Sequence, residues 1–268
     1  MVNASNFCGF AKHAVLKSKA MRVQKKDARK IAEEWEKAMI QGIFETLFDV
    51  CYLTVVTLLG ILMIKNHRKN KQYLLFGVMA VTLGAGDAFH LVPRAYALLT
   101  TGLENHTAAL GTGKFITSIT MTVFYVLLYH VWRERYQVKN QLGLSAAVYG
   151  LAMVRIALCL FPQNAWTSPA PPLSWAILRN IPFAALGVIT ILLFYRSARE
   201  REDTAFRWMW LTIVLSFAFY IPVVLFADAF PLVGILMIPK TIAYVWTVVI
   251  GYRDMIETQK EQNHEKAD

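Results

Sequence analysis

The stretch Gly86-Asp87-Ala88-Phe89-His90-Leu91-Val92-Pro93-Arg94 places an aspartate, a histidine and an arginine at i, i+3 and i+7, near the end of an apolar run. On a helix the three lie along one face. Ionisable groups at that depth are costly, so they turn toward a bundle interior and serve a site or a buried ion pair. A carboxylate or an imidazole there can move a proton, and an arginine can hold an anion.

Other apolar runs carry polar residues at a matching depth. At 1.5 Å per residue, Asp49 and Asp87 each lie about 9 Å from the ends of their segments, and Arg155, Tyr220 and Lys240 about 10–12 Å from the same side. Glu45, His90 and Asn180 are shallower. Helical spacing supports a shared interior: Glu45, Asp49 and Tyr52 form one stripe, ended by Val56. Ser118, Thr122, Tyr125 and Tyr129 form a second, Thr212, Ser216 and Tyr220 a third, and Lys240, Tyr244 and Thr247 a fourth. These are the spacings of inward faces, with lipid taking the apolar remainder. The candidate ligand-binding set is therefore Glu45, Asp49, Asp87, His90, Arg94, Arg155, Tyr220, Lys240 and Tyr244. A lysine stem reaches only about 6 Å, so Lys240 is expected inside the bundle rather than snorkelling to an interface. Its expected partner is Asp49 or Asp87, with Tyr244 donating to the same acid.

Three chemistries fit this set. In a binding or transport protein, Arg155, Lys240 and Arg94 attract a small anionic or polar ligand, while Asp49, Asp87 and Glu45 balance charge or relay protons. In an intramembrane lipid hydrolase, Asp87 or His90 is the general base and Arg155 or Lys240 stabilises developing negative charge. The third follows from a resemblance. A lysine midway along a seventh span, with Tyr220 and Pro222 in the sixth, resembles the retinal-binding lysine and the Trp-x-x-Tyr-Pro pattern of rhodopsins. That resemblance implies a retinal-type photoreceptor acting through Lys240, but Leu236 stands where microbial rhodopsins carry an aspartate, and the third span has no acid. Against all three stands a structural role, in which the charges neutralise one another and fix helix register, and Ser and Thr are packing glue.

Sharper motifs are missing. Asp87 with His90 is half of a metal site, and His106 and His130 fall elsewhere, so neither a metal nor a cofactor is called for. Gly111-Thr112-Gly113-Lys114 lacks the spacing and the following Ser or Thr of a phosphate loop. No Gly-x-Ser-x-Gly elbow occurs. Cys8, Cys51 and Cys159 have no ligand spacing, and Cys51 and Cys159 read as small buried hydrophobes.

These residues need helices to hold them. The chain of 268 residues is 56% hydrophobic, with a mean hydropathy of +0.40. Its apolar runs predict an all-α bundle of seven transmembrane helices over 43–65, 72–93, 115–133, 142–162, 179–196, 206–228 and 233–252. Residues 1–42 read as a basic segment with an amphipathic helix, 43–252 as the membrane domain and 253–268 as a cytoplasmic tail. Trp132, Tyr136, Trp166, Trp175, Trp208, Trp210 and Tyr252 sit near run ends, as in an aromatic belt. The formal charge of +10 is gathered in the gaps between runs. That pattern suits anionic lipid rather than nucleic acid, and makes the bilayer the expected partner of a multi-pass protein of the cell membrane.

Lys65, Arg68, Lys69 and Lys71 follow the first span, Arg133, Arg135 and Lys139 the third, and Arg196, Arg199, Arg201 and Arg207 the fifth. The gaps after the fourth and sixth spans carry no Lys or Arg. The positive-inside rule therefore puts the N-terminus outside and the C-terminus in the cytoplasm. The basic N-terminal segment runs against the rule, and Glu33, Glu34 and Glu36 dilute its charge beside the first span. A reporter fused after Lys71 or Arg201 should read as cytoplasmic and one at Thr167 as external; the opposite pattern would invert the orientation.

Overall fold

A computed structural model describes residue 36, residues 39–227 and residues 229–265. The sequence-predicted amphipathic helix of the N-terminal segment and Cys8 lie outside these. Among the described residues seven helices are long and apolar enough to cross a membrane, which marks this as an all-α membrane protein. They are α1 (Met39–Asn66), α2 (Lys71–Leu99), α3 (Thr107–Arg135), α4 (Leu142–Leu160), α5 (Leu173–Glu200), α6 (Met209–Phe226) and α7 (Met237–His264). Helix α2 starts where the Asn70 side chain accepts a hydrogen bond from the Gln72 amide, at 2.9 Å. Short 3-10 turns precede α3 and α7, at Leu103–His106 and Pro231–Leu236.

Several boundaries differ from the sequence reading. Helix α2 does not stop at Pro93 but continues to Leu99, so Arg94 lies inside it rather than at its edge. Proline removes one backbone hydrogen bond, and such a break is tolerated in a membrane helix that neighbours support. Helix α3 starts at Thr107, which puts the Gly111–Lys114 run inside a helix rather than in a loop. Helix α7 runs on to His264, so residues 253–264, expected as tail, prolong the seventh helix. With 29 residues, α2 and α3 are each about 44 Å long and overrun a hydrocarbon core of about 30 Å.

Helices α2 to α7 pack in sequence, and α7 closes onto α2. Helix α3 also meets α5 and so occupies the centre. Helix α1 lies against α2, where Gly60 faces Gly77 and Gly84 faces Thr57. Helix α7 also reaches α1, where the Gln259 side chain donates to the Asn66 carbonyl at 2.6 Å. The α2–α3 contact is the tightest fit. A β-carbon at Gly86 would overlap the Thr120 side chain, and one at Gly113 would overlap the Phe89 carbonyl. Thr117 Oγ1 donates to the Gly86 carbonyl at 2.9 Å. This seam fixes the rotation of α2 and with it the direction of Asp87.

One end of the bundle carries the basic connections and is held by a charged cluster. Arg135 Nη1 donates to Asp254 Oδ1 and Oδ2, both at 2.8 Å, while Nη2 and Nε take the two oxygens of Asp203 at 2.9 Å each. Its guanidinium carbon lies 4.4 Å from the centre of the Phe206 ring. Tyr73 donates to Asp254 at 2.9 Å and Tyr136 to Asp203 at 3.0 Å. Residues from α2, α3, the α5–α6 connection and α7 are tied in one knot. Tyr136 and Trp132, placed in the aromatic belt by sequence, are buried here, and Trp132 donates to Ser197.

Arg135→Met leaves two acids without their cation and should cost about 3 kcal/mol, read from thermal melting in detergent. Burial of Asp203 opposes its charge, but the hydrogen bonds and charge of Arg135 prevail and hold its carboxyl below the usual range. A depressed carboxylate contributes stability above its unfolded value of about 3.9 and loses it as pH falls further. The melting temperature should therefore drop below about pH 4, and Asp203→Asn should flatten that drop.

Candidate functional site

In the other half of the bundle, a cavity of about 40 Å³ is lined by Thr117, Ser118, Met121, Arg155, Phe183, Tyr220, Lys240 and Tyr244. Five helices contribute, α3 to α7; Ser118, Tyr220, Lys240 and Tyr244 belong to the inward stripes read from the sequence, and α4 and α5 add Arg155 and Phe183. Arg155 is 2% exposed, and its guanidinium carbon sits 3.3 Å from the centre of the Phe183 ring. It also donates to the Cys159 thiol one turn along α4. Arg155 Nε and Nη1 find no acceptor among the described residues. A guanidinium stays charged at any accessible pH, so these donors leave a buried positive charge facing the cavity.

Lys240 is 7% exposed and its Nζ lies 5.3 Å from the ring centres of both Tyr220 and Tyr244. It lies inside the bundle as the sequence reading expected, and of the two acids expected as its partner Asp87 is the one that acts on it, without a direct ion pair. Among the described residues no carboxylate oxygen lies within 4.0 Å of its amine. Nor does Tyr244 serve Asp87. Tyr52 of α1 donates to Asp87 Oδ2 at 2.7 Å instead, while Tyr244 packs edge-on to Phe124 near Tyr125 and Ser216.

The remaining candidates divide between two walls. Arg94 donates to Glu45 Oε2 from Nη2 at 2.8 Å and from Nε at 3.2 Å, a partly exposed pair joining α2 to α1. That pairing removes Arg94 from the anion-attracting set. Asp49 is half-buried beside Arg94, Glu45 and Asp87. His90 turns to α3, where it contacts the Leu110 backbone and faces Lys114. Its Nδ1 has no hydrogen-bond partner among the described residues. Asp87 and His90, the alternative general bases of the hydrolase reading, thus face different neighbours, α1 and α7 for Asp87 and α3 for His90. Tyr220 Oη donates to Asn180 Oδ1 at 3.1 Å.

Sequence reasoning missed four participants. Tyr52 holds Asp87, and Phe183 lies under Arg155. Cys159 is buried and touches Arg155, whereas Cys51, expected buried, is exposed at the bundle surface. Arg179 closes the other wall, donating to Asn164 Oδ1 at 3.0 Å and lying 4.3 Å over the Trp166 ring. Arg179 was legible in principle as a basic residue in the fifth span, but its partners sit in the preceding loop. Below the cavity Tyr125 reaches Ser216 at 3.4 Å, and Thr247 donates to Thr212 at 2.8 Å, a polar seam through the core.

Comparison of the chain with protein-family models, with curated proteins and with solved structures gives no match. Among the described residues no three His, Cys, Asp or Glu side chains gather as a metal site would need.

Arg155→Met keeps the length and apolar stem but removes the unpaired charge. It should stabilise the ligand-free protein by about 1–2 kcal/mol, read as a higher melting temperature. A marked loss of stability would mean that Arg155 is a structural group already satisfied in place.

Proposed function

We propose that this chain is an integral protein of the cell membrane that binds a small anion in its core cavity, as the substrate site of an anion carrier. The observation that carries the reading is Arg155: a buried guanidinium with two donors lacking protein acceptors, lining the same cavity as the amine of Lys240. Two cations of this kind hold an anion by charge-assisted hydrogen bonds. The apolar surroundings strengthen each interaction because little water competes.

The orientation of the site belongs to the same proposal. The connections after α1, α3 and α5 are rich in Lys and Arg, and the positive-inside rule assigns them to the cytoplasm. The cavity then lies in the outer half, between acidic side chains on α1 and α2 and basic ones on α4 and α5.

The test is a melting series of the purified protein in detergent, at fixed ionic strength, with chloride, nitrate or formate against gluconate. The small anions should raise the melting temperature; at a hundredfold excess over the dissociation constant the stabilisation is about 2.7 kcal/mol. Gluconate is too bulky for the cavity and should give none. Lys240→Met and Arg155→Met should each abolish the response. Equal melting in all four salts would refute the reading.

A further inference from the structure

The cavity shares one cation with an acid, and that sharing assigns it a second ligand. Resting on the anion-binding reading, we propose that the site takes up a proton together with its anion, the proton being held on Asp87.

The geometry that leads there is a division of labour around Lys240. On one side stand Arg155 on α4, with two free donors, and Tyr220 on α6, whose ring the amine overlies. On the other stands Asp87 on α2, the carboxylate that acts on the lysine. Lys240 is within 4.0 Å of no acid among the described residues, and its amine is poised between the cavity and Asp87. An anion in the cavity draws the ammonium toward itself. Asp87 then keeps a single hydrogen bond, from Tyr52 at 2.7 Å, in a buried position. A buried carboxylate deprived of its cation takes a proton.

Electrostatics work in the same direction: an anion beside Lys240 sets a second negative charge near the Asp87 carboxylate, and two negative charges sharing one cation disfavour each other. Protonating Asp87 frees the lysine entirely for the anion, so each ligand strengthens the other, and by linkage the effect is reciprocal.

The groups that face the pair are few. Asp87 meets Tyr52 and Asp49 from α1, Lys240 and Tyr244 from α7, and on the α3 side the hydroxyls of Thr117 and Thr120 beside Gly86. Lys240 meets Arg155 from α4, Tyr220 from α6, Tyr244 from its own helix, and Asp87 and His90 from α2. A route for the proton is present on the same wall: Glu45 and Asp49, both partly exposed, lead along α1 to Asp87. The step forms an O–H bond on Asp87 with a proton from bulk water and breaks no covalent bond in the ligand. In a carrier it makes transport a symport of one anion with one proton, without net charge movement.

The test uses the full chain in detergent and sodium chloride as the probe, with binding followed by calorimetry in two buffers of different ionisation enthalpy. Wild type should take up close to one proton per chloride, and its apparent affinity should fall about tenfold per pH unit above the midpoint. Asp87→Asn should bind chloride more tightly than wild type at neutral pH and with no proton uptake. Tyr52→Phe removes the hydrogen bond to the ionised acid and should move the midpoint of the pH profile upward while leaving uptake near one. Chloride binding that is independent of pH and releases or takes up no proton would overturn the coupling while leaving the anion site standing. Unchanged uptake in Asp87→Asn would overturn the assignment to Asp87. No chloride binding by wild type at any pH would remove both proposals together.

Discussion

Placing a guanidinium that cannot neutralise itself inside a helix bundle is the constraint on which the rest of this structure turns. A lysine or an acid at such depth can shed or gain a proton; an arginine cannot. Arg155 must therefore be met by whatever negative or polarisable surface the bundle can bring to it. The nearest is the face of Phe183, and that ring is itself held by Tyr125 at 5.1 Å and Phe217 at 5.0 Å between ring centres. Phe217 can approach because Gly187 leaves room on α5 for its ring. Three helices thus cooperate to support one cation from below, and its remaining donors look into the cavity.

The acid that would have cancelled a cation is kept on the far side of Lys240. Tyr52 holds it there, and the seam of Gly86 and Gly113 against α3 fixes the turn of α2 that makes this possible. Had α2 been rotated by one residue, Asp87 would face α3 as His90 does, and Lys240 would have no acid at all. The close α2–α3 fit is therefore more than packing, since it sets the charge balance of the site.

Much of this could be read from the sequence, because a membrane helix must bury its polar side. The seven spans and the inward stripes of α1, α3, α6 and α7 follow from that single requirement. Lys240, Arg155 and Tyr220 meet at one cavity as depth alone suggests. Partner choice was not legible. Depth and face cannot tell whether Tyr52 or Tyr244 donates to Asp87, because the two tyrosines lie at similar levels on different helices. Nor do they show that Arg94 is spent on Glu45. The Arg135 cluster was hidden for another reason: in sequence Arg135 is one of several basic residues at a run end, and its acids lie in a connection and in what reads as a tail. Only the overrun of α3 and α7 beyond the apolar core brings them together.

The two ends of the bundle are built on opposite principles. At the basic end, Arg135 gives four donor contacts to two acids that two tyrosines also serve. Separating α2, α3 and α7 there would strand charges with no replacement partner. At the other end the cations face a cavity, and three helices carry an internal proline: Pro93 in α2, Pro182 in α5 and Pro222 in α6. Each proline leaves one carbonyl of the preceding turn without its amide, so bending at that point costs less than elsewhere along the helix. All three lie in the half that holds the cavity. The paired charges of the Arg135 cluster thus tie α2, α3 and α7 at one end, while the three internal prolines lie in the half where Arg155 and Lys240 face the cavity.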